Sequence, residues 1–84
     1  MYQLPVVPPS YTAPNGRREW YDAEGNTHNV NGPAIMWENG DIEWIVYVPG
    51  RGEVSVCCAK EFQELTGCSD EHIQQLEAKY GDIY

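Results

Sequence analysis

Few side chains in this chain have types and spacing that could do chemistry. Cys57, Cys58, Cys68 and His72 gather three thiols and an imidazole in one short stretch, a composition that could hold zinc. The spacing is not that of a ribbon or finger, which opens on two cysteines a few residues apart. Adjacent cysteines on an extended chain point to opposite sides, and Cys68 and His72 share a helix face only if Cys68 is already helical. Buried, reduced thiols are therefore expected, with no metal and no cofactor. His28 could be a ligand or a general base, but no Ser, Cys or Asp stands where a triad would need it. A structural histidine bonded to turn backbone is the expectation. No phosphate-cradling G-x-x-x-x-G-K-S/T run appears. Two carboxylates set for glycoside hydrolysis would need a cleft holding them about 5 to 9 Å apart, and a short chain has little room for one. A non-enzyme is expected.

What remains chemically distinctive is charge. The 84 residues carry 13 Asp and Glu against 5 Lys and Arg, a net charge of −8. That sign repels phosphates and anionic lipid and steers basic surfaces inward. Direct nucleic-acid binding rests on basic patches, and the single close basic pair, Arg17-Arg18, is followed at once by Glu19. The acids from residue 53 onward outnumber Lys60 and Lys79, so the C-terminal part is the expected acidic contact surface. Glu61, Glu64, Asp70, Glu71 and Glu77 are the candidate partner-binding acids. Trp37 and Tyr47 are the candidate aromatic anchors, because exposed aromatics beside acids make effective hot spots. Trp20 and Trp44 are expected in the core. The plain alternative for the acids is a solvated surface that keeps the protein soluble.

The elements that must position these groups follow from pattern. Residues 1–16 hold four of the six prolines and no charge, which predicts an extended arm, either docking on the body or a partner through Tyr2, Leu4, Val6 and Tyr11 or, in the plain alternative, flexible. Residues 17–57 read as strands and turns. Asn39-Gly40 is a two-residue hairpin signal between the runs 34–38 and 41–48. In the second run Ile42, Trp44, Val46 and Val48 share one face and Glu43, Ile45 and Tyr47 the other, as in a central strand covered on both sides. Pro49-Gly50-Arg51-Gly52 is a turn before a strand over 53–57, and Arg18–Asp22 is a strand ended by Glu24-Gly25-Asn26. Residues 58–84 change period. Phe62 and Leu65 mark a short helix closed by Gly67. Ser69 caps a second helix, with Asp70 and Glu71 in its first turn, an Ile73, Leu76, Tyr80 stripe and Gly81 past its end. The expected fold is α+β: a small antiparallel sheet of three to five strands with a C-terminal helical pair, in one domain.

Asn15-Gly16-Arg17-Arg18-Glu19-Trp20 and Asn39-Gly40-Asp41-Ile42-Glu43-Trp44 match as N-G-x-x-E-W, so one unit is used twice. After the first Trp come Gly25, His28, Gly32, Pro33 and Ala34. After the second come Gly50-Arg51-Gly52-Glu53 and Ala59, a degenerate copy. The first copy resembles a repeat of bacteriophage and some bacterial proteins, a Trp strand followed by G-x-x-H-R-x-x-G-P-A and an apolar strand, with Asn29 here in the usual Arg place. The resemblance spans residues 15–59. It implies a β-rich scaffold and a phage setting, and it supplies no mechanism.

Together these features lead to the expectation of a small phage-encoded protein in the bacterial cytoplasm. It would bind and inhibit a host protein with a basic nucleic-acid-binding surface, as an anti-CRISPR or other anti-defence inhibitor or DNA mimic does. The alternative is a structural or virion accessory protein that self-associates. No run of 18 apolar residues spans a membrane. The three cysteines and the lack of a basic, apolar leader favour a reducing compartment.

Overall fold

Turns set the architecture. The computed structural model describes residues 4–81 and 83. At Ala13–Arg17 the first amide donates to the fifth residue's carbonyl at 2.8 Å, and Gly16 donates back to Ala13 at 2.9 Å. Trp37–Asp41 repeats this, at 2.8 Å and 3.0 Å from Gly40. Gly16 and Gly40 have φ of 98° and 95°, a left-handed conformation that glycine adopts without a Cβ penalty. The side chain before each glycine locks the loop. Asn15 Oδ1 accepts from the Arg17 amide and Asn39 Oδ1 from the Asp41 amide, both at 3.0 Å. These are three-residue hairpin loops ending on a left-handed glycine. The two-residue Asn39-Gly40 hairpin is therefore corrected: Asn39 keeps a negative φ, because its side chain is spent on the loop and Gly40 alone takes the left-handed position.

Four two-residue strands follow from these loops: β1 Tyr11–Thr12, β2 Arg18–Glu19, β3 Ile35–Met36 and β4 Ile42–Glu43. They form one antiparallel sheet in the order β1-β2-β3-β4. The sheet thus begins inside the stretch read as an arm. A second sheet pairs β5 Ile45–Val48 with β6 Gly52–Ser55. The run 41–48 is not one central strand. It leaves the first sheet at Trp44, whose carbonyl accepts from the Val56 amide at 2.8 Å, and enters the second. Period-2 alternation continues unbroken through such a change of partner, which is why the pattern alone reads as a single strand.

The helices are α1 Ala59–Thr66 and α2 Asp70–Tyr80. Gly67 ends α1 in the left-handed region, with φ 71° and ψ 17°. Ser69 caps α2 by accepting from the His72 amide, and Gly81 lies past its end. This is the expected α+β fold, with a small second sheet added. The core gathers Trp44, Val46, Val56, Phe62, Ile73, Leu76 and Ile83. Trp44 meets Phe62 and Tyr80 edge-on, with centroids 5.6 and 5.8 Å apart, a favoured aromatic geometry. Helix α1 packs on β5, and α2 on α1. Of the arm, Leu4 packs on this core and the Val7 carbonyl accepts the Trp20 indole N–H at 3.0 Å. Val6 is 86% exposed and Tyr11 43%, so neither anchors it. Tyr2 lies outside the described residues.

Candidate protein-binding site

Register decides which side chains the first sheet shows. Tyr11, Glu19, Ile35 and Glu43 are aligned across it, as are Thr12, Arg18, Met36 and Ile42 in the neighbouring row. Successive residues point to opposite faces. Along β4, therefore, Asp41 and Glu43 face one way while Ile42 and Trp44 face the other, toward the core.

Beyond β4 the sheet ends. An open groove of about 800 Å³ runs there, lined by residues 37–44 and by Tyr80 and Gly81. Ile42, Trp44 and Tyr80 give it an apolar side, and Glu38, Asp41 and Glu43 give it acids. No Lys or Arg lines it. Trp37, 38% exposed, also lines it, with the Arg17 guanidinium 5.7 Å from its ring. Lys79 lies 5.3 Å from the Tyr80 ring. Two of the lining rings thus already carry one of the chain's own cations each. Arg17 is held by Glu19, which accepts its Nε–H at 2.6 Å. That is the only ion pair among the described residues, so the three groove carboxylates are not neutralised by one. Their one hydrogen bond is from Asn39 Nδ2 to Asp41 Oδ2, at 3.1 Å.

The Tyr80 wall depends on Gly32. A Cβ at Gly32 would lie 3.1 to 3.2 Å from the Tyr80 ring and hydroxyl, closer than ordinary van der Waals contact. The segment 28–34 is itself pinned by polar groups, buried at Asn29 and His72 and half-buried at His28. Asn29 donates from Nδ2 to the Pro33 carbonyl at 2.9 Å and accepts at Oδ1 from Asn31. His28 Nδ1 accepts the Tyr47 amide at 2.8 Å, and buried His72 directs Nε2 at the Val30 carbonyl. His28 thus bonds backbone as expected of a structural histidine, but that of strand β5 and not of its own turn. Among the described residues no cluster of His, Cys, Asp and Glu could hold a metal. Cys57 and Cys58 correct two expectations. Their sulfurs lie 3.9 Å apart rather than on opposite sides, because they sit at the corner where β6 gives way to α1. Cys57 is also exposed, and Cys58 and Cys68 only half-buried.

Glu19, Tyr21 and Arg17 form the polar cluster beside Trp37. Tyr21 donates its hydroxyl to Glu19 Oε1. That bond, and then the Arg17 contact, holds the Glu19 carboxyl below the usual carboxylate range despite the opposing effect of burial. The same bond raises the Tyr21 phenol.

The candidate residues do not form one patch. Trp37 belongs to the groove. Tyr47 lies in β5, half-buried. Glu61 is spent at the start of α1, accepting at 2.9 Å the amide of Cys57, the residue before the N-cap Cys58. Asp70 accepts from Gln63 Nε2 at 2.7 Å, and Glu77 is half-buried. Glu64 and Glu71 are exposed. Glu38, Asp41 and Glu43 were not singled out in the sequence. Their signal was acids at 41 and 43 alternating with Ile42 and Trp44, but alternation does not say that the strand is an edge.

No helix among the described residues is long and apolar enough to cross a membrane. No protein-family model, curated protein or solved structure matches the chain.

Proposed function

We propose that this protein acts by binding another protein, and that the acid-rimmed groove along β4 selects a partner with a basic surface. The observation that carries the reading is the groove itself: three carboxylates outside any ion pair beside an apolar wall, in a chain of net charge −8. The accessible surface is 5318 Å². One standard interface, roughly 800 Å² per partner, would cover about a sixth of it, so a single engagement defines what the molecule does.

The resemblance of residues 15–59 to phage-type repeats supports reading the partner as a host protein. The reading that joins resemblance to charge is inhibition: an anti-defence or anti-CRISPR-like protein that covers the nucleic-acid-binding surface of a host complex. Its acids would take the place of phosphates, with Glu64 and Glu71 adding to the long-range field. Capture from bacterial lysate on the immobilised protein, washed at low and high salt, tests this. The expected result is one nucleic-acid-handling protein, retained at low salt, weakened at high salt and released by its own nucleic acid. Capture that nucleic acid does not disturb would contradict the inhibitory reading.

A second reading, a self-associating structural protein, draws on exposed Val6, Val7 and Tyr11 beside edge strand β1. It predicts a homo-oligomer in solution and no captured protein. Sizing by light scattering separates the two.

A further inference from the structure

We infer that the groove receives an extended segment of the partner as an added strand on β4, one that alternates basic and apolar side chains. The inference rests on the protein-binding reading and specifies its contact. β4 is the end strand of its sheet. The carbonyls of Asp41 and Glu43 are taken by the Trp37 and Ala34 amides, at 2.8 and 2.9 Å, so both carbonyls turn toward β3 and its flanking residues. Alternate residues of an antiparallel strand direct their hydrogen-bonding groups to opposite sides, and Ile42 therefore directs its amide and carbonyl outward along the groove. An edge of this kind takes up extended segments by backbone pairing.

The two faces of β4 then dictate the guest. Side chains on one face of an added strand meet Asp41 and Glu43, and those on the other meet half-buried Ile42 and Tyr80. Opposite charges directly across a strand pair attract and like charges repel. The guest is thus basic at every second residue and apolar between. The chain's own Arg17 over Trp37 shows that this ring takes a guanidinium group, and Arg is the better fit for stacking. Because β4 is only two residues long, backbone pairing is brief, and side-chain alternation supplies most of the selectivity.

The test uses the full chain and three fluorescent peptides followed by anisotropy. One alternates Arg and Val over six residues, one has the same composition in blocks, and one replaces Arg by Glu. The alternating peptide is expected to bind at least about tenfold tighter than the block peptide, and the Glu peptide not at all. Methylating one backbone nitrogen of the guest should weaken it further, and Asp41→Lys with Glu43→Lys should remove the preference for Arg over Glu. Equal binding of the alternating and block peptides overturns the added strand. So does an unchanged affinity in the doubly reversed variant, shown to be folded by circular dichroism. If lysate capture succeeds while all peptides fail, the protein-binding reading stands and this inference falls. Self-association that blocks the peptide would assign the edge to a second copy and also overturn it.

Discussion

Trp20 follows the Asn15-Gly16 loop and Trp44 the Asn39-Gly40 loop, and the two loops share their hydrogen bonds, their glycine conformation and their asparagine lock. Both rings are buried. What surrounds them differs. Trp44 is wedged between Phe62 and Tyr80 at the centre of the hydrophobic cluster. Trp20 lies outside that cluster, tied by its indole N–H to the Val7 carbonyl. The same local unit anchors the core in one copy and holds down a proline-rich segment in the other. One half of the molecule is stabilised by apolar packing. The other is stabilised by turns and by polar bonds from Asn29, His28 and Glu19.

The sharpest way to break this comparison is to truncate both rings. Trp44→Ala should cost about 3 to 5 kcal/mol, a large part of the roughly 5 to 15 kcal/mol that stabilises a small domain. Trp20→Ala should cost less, because fewer apolar partners lose contact. Urea unfolding of the two variants checks the order, and a lower midpoint for Trp20→Ala would reverse the assignment of core and periphery. Next is Asn29→Ala. It strands the buried Pro33 carbonyl and the Asn31 amide and should cost about 1 to 3 kcal/mol. A neutral outcome would mean that polar bonds do not hold the N-terminal half. Gly32→Ala presses a methyl group on Tyr80 and should cost about 1 to 3 kcal/mol, with a changed Tyr80 ring signal by NMR.

The smallest effect is a titration. Glu19 has its folded pKa depressed below its unfolded value. Its contribution is present above the unfolded pKa, near 4.5, and is lost as pH falls through the folded pKa. Tyr21→Phe removes the largest cause of that depression. The Glu19 carboxyl should then titrate at higher pH by NMR, with less stability lost on acidification. An unmoved titration would show that Arg17 alone holds the carboxylate.

Much of the fold was legible because local rules and tertiary packing agree. Ser69, Gly67 and the Ile73, Leu76, Tyr80 stripe announce α2 and its boundary with α1, and packing uses that same stripe. The hairpin at Asn39-Gly40 was legible as a reversal but not as a loop type, since Asn39 can either take a left-handed φ or bond its own loop. The split at Trp44 was not legible, because strand pairing is non-local and the alternation does not change there. For the same reason the acids of β4 looked ordinary. Glu61 looked like a contact residue and holds the Cys57 amide ahead of α1, a role that depends on where α1 begins. Trp37 was legible as an exposed aromatic. Its neighbours Arg17 and the groove were not, because they come from strand order.

The most direct test of the central claim is the association rate of a captured partner at several salt concentrations, measured for three proteins. These are the unchanged chain, the groove variant Asp41→Lys with Glu43→Lys, and the helix variant Glu64→Lys with Glu71→Lys. Charge within the contact acts at short range, whereas exposed charges beyond the Debye length, about 8 Å at physiological salt, are largely screened. The groove variant should therefore associate more slowly, dissociate faster and show a flatter salt dependence, with the helix variant changed only in its rate at low salt. A groove variant that binds like the unchanged chain while the helix variant loses binding would place the contact on the helices and contradict the account.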